Sequence, residues 1–311
     1  MVENNKKQKG PKKQFDIDSE RGIMFDPGTL SLANTEREYY IGYPYQYWYH
    51  KARALWYFIE DASRLQCIRN EKDIDTDDYI IENLKMEIHM IVFHSAESLF
   101  LTVLGHLFYR HSPWFWISSC KQRKFYYFMN LWKEKGLEGI INEPEEWLRE
   151  RLYPTVIDRH RDHQKAKVSV AFIKKFLDRL LTYFMDHEEY NAYKHGLRVF
   201  PDKARITDPD EATRKAAGGF KSDIFKFLTD EPIKETRNGQ EVYGYRIDRN
   251  LKRYNIEFDI QLIVVITGIL QNFVEGKNVQ FNAPMGQKTK FHYVYFEGFT
   301  VEEIFRSDPS K

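Results

Sequence analysis

The sequence predicts a mainly α fold: a helical bundle with a small antiparallel β-meander and hairpin near the C-terminal end. Three observations carry this. Apolar residues recur at helical spacing over three long stretches that no proline interrupts. Strict alternation appears only late, around Asn238-Gly239, the strongest short hairpin signal. Hydrophobic residues make up 42% of the 311-residue chain, enough to bury a core and too many for a disordered one.

Residues 1–35 are expected to be mobile or irregular, with five lysines within Met1–Lys13 and a turn at Phe25-Asp26-Pro27-Gly28. The bundle core is expected over 36–200. Trp48, Ala52, Leu55, Trp56, Ile59, Ala62 and Leu65 mark a helix from Tyr47 to about Arg69. Asp75 to Asp78 supply a cap and first-turn acids for a long helix reaching Tyr109, apolar nearly all round from Ile88 to Leu107 and therefore central. Ser112-Pro113 opens the next helix, which stops near Gly136, and Pro144 begins a short one over Glu143–Arg151. A second long helix is expected from His163 to about Leu197, ended by Gly196.

Residues 201–311 change texture. A polar loop up to Gly218-Gly219 leads to a meander over 233–259, where Tyr243, Tyr245 and Ile247, then Tyr254, Ile256 and Phe258, alternate with polar residues. Asp259 is placed to cap a last buried helix, Ile260 to Glu275, stopped by Gly276. Val279–Phe281 and Lys290–Phe296 read as a closing hairpin.

Lys plus Arg number 47 against 46 Asp plus Glu, so the net charge of +1 gives no global case for nucleic acid or an anionic membrane. Cys67 and Cys120 exclude a disulfide framework and read as reduced, buried thiols. The front carries no apolar run, and Ile260–Val274 is interrupted by polar residues and falls short of the roughly 18–20 residues that span a membrane, so a soluble, cytoplasmic chain is expected. Phosphate-loop, dinucleotide, nucleophile-elbow, zincin and EF-hand motifs are absent.

Three constellations remain. His94 and Glu97 share a face in the apolar middle of the long helix, where a carboxylate must be paired or open to a cleft; they read as a buried polar pin or as part of an active site. His160 and His163 read as a charged helix entry. The third is Glu189-Tyr190-Asn191-Ala192-Tyr193-Lys194-His195-Gly196-Leu197-Arg198. Asn191 and His195 stack at i, i+4, as do Lys194 and Arg198. An imidazole titrating near pH 7, an amide to orient it and two cations for phosphoryl charge are the ingredients of metal-independent RNA cleavage. From Lys194 to Lys221 seven basic residues stand against four acids.

A long buried helix carrying Glu97, followed by a helix ending in Tyr190-Asn191-x-x-Lys194-His195-Gly196, resembles the HEPN superfamily over about residues 76–200. The resemblance implies a helical-bundle protein of bacterial defence or toxin systems that acts on RNA without metal or other cofactor. It also implies a homodimer and a protein partner such as an antitoxin. His195 and Asn191 match the motif's histidine and polar residue, and Glu97 the acid on an earlier helix. The motif's Arg falls at Tyr190. The resemblance then leaves Lys194, Arg198 or Arg179 to supply the cation, with His94, Glu97 and Tyr190 supporting the site.

Two other readings stand beside it. The missing Arg suits a non-catalytic interaction or scaffold module that binds protein or nucleotide through surface aromatics such as Trp114 and Trp116. A metal-dependent enzyme would use His94, Glu97, His160 and His163.

Overall fold

A computed structural model describes residues 29–67, 69, 77–109, 112–154, 160–186, 188–194, 199–202, 223–237, 240–282 and 292–308. The protein is a helical bundle with a three-stranded antiparallel sheet. The bundle comprises α1 (Thr29–Gly42), α2 (Tyr47–Glu60), α3 (Asp77–Phe108), α4 (Pro113–Ser119), α5 (Gln122–Lys135), α6 (Pro144–Leu152), α7 (His160–Met185), α8 (Glu188–Lys194), α9 (Ile256–Asn282) and α10 (Val301–Ile304). The sheet comprises β1 (Val199–Asp202), β2 (Asp223–Arg237) and β3 (Gln240–Tyr254).

Helix α3 is central, as its all-round apolar middle requires: Ile88, Ile91, Phe93, Leu99, Phe100 and Leu104 are fully buried. Helix α9 packs beside it with Phe258, Leu262, Ile266, Ile269 and Phe273 equally buried. Both helices are long and apolar enough to cross a membrane by length and composition, and 72% of the most apolar window of each is buried inside the bundle.

Several local forces redraw the expected boundaries. A helix begins at Thr29, inside the stretch expected to be irregular. It docks through Tyr40, whose hydroxyl meets His106 Nε2 at 2.9 Å, and through Glu36, paired with Lys277 at 2.9 Å. The helix expected to reach Arg69 ends at Glu60, because Asp61 turns extended and its Oδ1 accepts from the Ser63 N–H at 3.0 Å, opening a 3₁₀ turn over Ala62–Cys67. The helix after Pro113 is two, α4 and α5. The Ser118 and Ser119 hydroxyls donate back to Phe115 and Trp116 carbonyls in the last turn of α4, and Cys120 is extended.

The second long helix is also two: α7 ends at Met185, Asp186 is in a turn, and α8 begins at Glu188. That break lets α8 lie along α3. The alternation read as strand over Arg253–Asp259 is overruled by Asn255: its Oδ1 accepts from the N–H groups of Glu257 and Phe258 at 3.0 and 3.2 Å, so the helix starts at Ile256. Asp259 is therefore an interior residue of α9 and no cap. Helix α9 also runs through Gly276 instead of stopping there. A Cβ at Gly276 would lie 2.1 Å from the Arg151 carbonyl oxygen, so this glycine is a packing contact with α6. The expected closing hairpin is absent among the described residues: Val279–Phe281 is helical and 292–296 forms no strand.

The sheet has the order β1-β2-β3, with Val199 opposite Phe227 and an unbroken register from Asp223↔Tyr254 to Arg237↔Gln240. The paired strands begin at Asp223, ten residues before the expected meander, and end at Tyr254, short of its expected end at 259; the expected turn residues Asn238 and Gly239, like the expected loop over 203–222, lie outside the described residues. Val199, Ile224, Phe227 and Tyr254 are buried and seat the sheet on the bundle. Cys67 is exposed and Cys120 half-buried, against the expected buried thiols. Trp116, expected as a surface anchor, is 1% exposed and stacks on Phe108.

Candidate functional site

Tyr190 and Lys194 occupy one face of α8 at i, i+4, and His94 and Glu97 one face of α3 at i, i+3. Packing α8 along α3 brings the four together. The Tyr190 hydroxyl donates to Glu97 Oε2 at 2.7 Å and lies 3.0 Å from His94 Nδ1. Lys194 Nζ reaches both Glu97 oxygens, at 2.9 and 2.7 Å, and sits 4.4 Å from the centre of the Tyr190 ring.

A hydroxyl has one proton, and a carboxylate only accepts. With the Tyr190 proton committed to Glu97, His94 Nδ1 must carry a hydrogen and donate it to the Tyr190 oxygen. That fixes the tautomer: Nε2 holds the lone pair, and among the described residues no hydrogen bond engages it. The chain Glu97–Tyr190–His94 thus orients an imidazole as the carboxylate of a hydrolase triad does, with a phenol interposed.

Neighbours hold the ring. Trp48 of α2 stacks on it at 5.3 Å with planes 7° apart, and the indole N–H donates to Ser98 Oγ at 3.2 Å. Burial and the adjacent Lys194 charge push the His94 pKa below its usual value, outweighing Glu97 and Glu87, so the ring is neutral at pH 7. Burial and the Glu97 charge raise the Tyr190 phenol far above the ordinary range, so it stays protonated. Two turns from His94 toward the start of α3, Glu87 accepts from Lys51 at 2.7 Å and from Tyr193 at 2.8 Å. Burial opposes ionisation of Glu87, but these two donors outweigh it and hold the carboxyl below its usual value; the Tyr193 phenol is pushed up to about 12.

Of the residues singled out in the sequence, His94, Glu97, Tyr190 and Lys194 meet in this cluster. Asn191 lies on the exposed side of α8. His195 and Arg198 lie outside the described residues. Arg179 supplies no cation here: its guanidinium lies 5.4 Å from the Phe305 ring, and Lys194 is the basic group that faces Glu97. His163 is exposed on α7, and no group of three or more His, Cys, Asp or Glu side chains fit for a metal forms among the described residues.

A second cluster was missed. His89, Glu189 and Asp259, each at most 1% exposed, meet where α3, α8 and α9 converge. His89 Nδ1 lies 3.0 Å from Asp259 Oδ2, His89 Nε2 lies 3.9 Å from Glu189 Oε1, and Lys252 of β3 pairs with Glu189 at 2.7 Å. Burial pulls the His89 pKa down, but the Asp259 charge and hydrogen bond, helped by Glu189, carry it up to about 9. The available signal was a histidine inside an otherwise apolar helix run. Its partners, Glu189 and Asp259, are remote in sequence and visible only in the fold.

Comparison with protein-family models, with curated proteins and with solved structures finds no match.

Proposed function

We propose that the chain is an HEPN-like, RNA-directed protein in which His94 moves the proton. The observation that carries this is the Glu97–Tyr190–His94 chain, which leaves a neutral imidazole with its lone pair on Nε2 in a half-buried setting beside a lysine. Proton transfer of this kind contributes about 10²–10⁴-fold to a rate. In the proposed reaction Nε2 takes the proton of an RNA 2′-hydroxyl. The O2′ oxygen bonds to the adjacent phosphorus, the P–O5′ bond breaks, and the departing O5′ takes its proton from His195, the acid–base group of the sequence motif. The products are a 2′,3′-cyclic phosphate and a 5′-hydroxyl. Lys194 stands where it can shift from Glu97 toward phosphoryl charge. The roles assigned in the sequence to His195, Asn191 and Arg198 remain part of the proposal, as does pairing of two copies.

The test is cleavage of total RNA in EDTA. The expected result is cleavage that falls about 100-fold or more in His94→Ala. An inactive native chain, or an unchanged rate in His94→Ala, overturns the reading.

One observation favours a second reading, a non-catalytic binding module. Both lysines at the cluster are already engaged, Lys51 by Glu87 and Lys194 by Glu97, so the site is neutral as it stands. RNA or protein retained without cleavage would select it.

A further inference from the structure

Helix α2 has two working flanks. Trp48 and Lys51 face the cluster around His94 and Glu87. On another flank Tyr49, Arg53 and Trp56 stand at i, i+4, i+7 and face Glu257 and Gln261, themselves at i, i+4 near the start of α9. Between the two helices is a cleft of about 560 Å³, floored by the fully buried Ile263. That volume suits a small organic ligand.

The lining is specific in kind. Tyr49 and Trp56 offer aromatic surface, and the Trp56 indole is pinned by its N–H, which donates to Glu60 Oε1 at 2.7 Å. Around them stand a guanidinium, a carboxylate and a carboxamide. Among the described residues the side chains of Arg53, Glu257 and Gln261 make no hydrogen bond or ion pair with one another or with any neighbour, unlike Lys51 and Lys194 nearby. A ligand matching this lining has a planar aromatic part, hydrogen-bonding edges and an anionic end.

We propose that this cleft binds a ribonucleotide unit. The base lies against Trp56 and Tyr49, with Gln261 donating to and accepting from its edge. Glu257 accepts from ribose hydroxyls, and Arg53 takes the phosphate. The unit comes either from a free nucleotide or from one residue of an RNA strand; the strand source rests on the RNA-directed reading above, and the free-nucleotide source does not.

The test is calorimetric titration of the full chain with AMP, adenosine and a triadenylate RNA, the last in a His94→Ala background so that no strand is cut. AMP is expected to saturate at one site per chain. Trp56→Ala is expected to weaken it about tenfold or more, the size of one base–aromatic stack. Arg53→Glu, on an exposed position, is expected to weaken AMP severalfold and leave adenosine unchanged. Triadenylate binding tenfold tighter than AMP assigns the strand source; AMP binding as tightly as triadenylate assigns the free nucleotide. The absence of saturable binding by AMP and triadenylate, or affinities untouched by both substitutions, overturns the inference. A chain that binds AMP and cuts no RNA keeps this inference and sinks the nuclease reading. Cleavage lost in His94→Ala without AMP or triadenylate binding does the reverse.

Discussion

His89 and His94 stand five residues apart on one helix and are pushed in opposite directions. His89 is sealed with two carboxylates, and its proton is retained up to about pH 9. His94 is half open, with a lysine beside it and a phenol between it and the nearest carboxylate, and its proton is lost below the usual imidazole value. Burial disfavours the charged form in both. The sign is decided by which charge lies in contact. One histidine is a fixed cation that ties helices together, and the other is a neutral imidazole.

The largest effect should come from breaking the sealed cluster. Asp259→Ala leaves His89 and Lys252 facing Glu189 alone in the interior, and losing one member of a buried charged group costs about 3–5 kcal/mol. Urea denaturation should show the midpoint fall with an unchanged slope. A variant as stable as the native chain would mean that His89 is neutral and the cluster no lock.

The second effect is pH dependence. The folded pKa of His89 lies above its unfolded value of 6.5, so its contribution is fully present below pH 6.5 and is lost as pH rises through about 9. The span corresponds to on the order of 3 kcal/mol. The groups facing it are Asp259 from α9, Glu189 from α8 and Tyr254 from the sheet; Lys252 of the sheet pairs with Glu189, and the Tyr183 phenol of α7 lies in the field of both carboxylates. Stability measured between pH 6 and 9 should decline in the native chain and stay nearly flat in His89→Gln. Equal slopes would remove His89 from the comparison.

The two clusters also differ in how far they were legible. The spacings His94–Glu97 and Tyr190–Lys194 are local and readable, because three- and four-residue steps share a helix face. That the two pairs meet depends on the break between α7 and α8, which no glycine or proline announces. Trp48 read only as an apolar helix-face residue because nothing in periodicity separates a ring stacked on leucine from one stacked on imidazole. Asp259 looked like a cap because it follows an alternating stretch, and Asn255 takes that role instead. Gly276 looked like a stop because glycine both ends helices and permits close packing, and only the Arg151 carbonyl decides between the two. The long helices α3, α7 and α9 were legible as helices because their apolar runs exceed any strand.

Smaller effects test the open site. Lys194→Met removes the positive charge that lowers the His94 pKa and releases Glu97, which raises it. The His94 resonance, followed by NMR across pH 4–9, should titrate at higher pH than in the native chain. A shift downward, or none, would mean that burial alone sets the value and that Lys194 has no electrical hold on the ring.

The smallest expected effect is the most specific to the arrangement. Tyr190→Phe deletes one oxygen that both donates to Glu97 and accepts from His94. Its hydrogen bonds contribute roughly 1–2 kcal/mol net, so the fold should survive. The ring, however, loses the acceptor that keeps hydrogen on Nδ1, and neutral imidazole should redistribute toward the Nε2–H form, in which Nε2 is no longer a base. Nitrogen chemical shifts of His94 report this directly: Nε2 should move from the unprotonated toward the protonated range. If the shifts of Nδ1 and Nε2 are the same in both chains, the phenol does not set the tautomer, and the difference between the two histidines reduces to burial and charge. If they move, a tyrosine at the position where the resemblance expects arginine is what makes His94 a base.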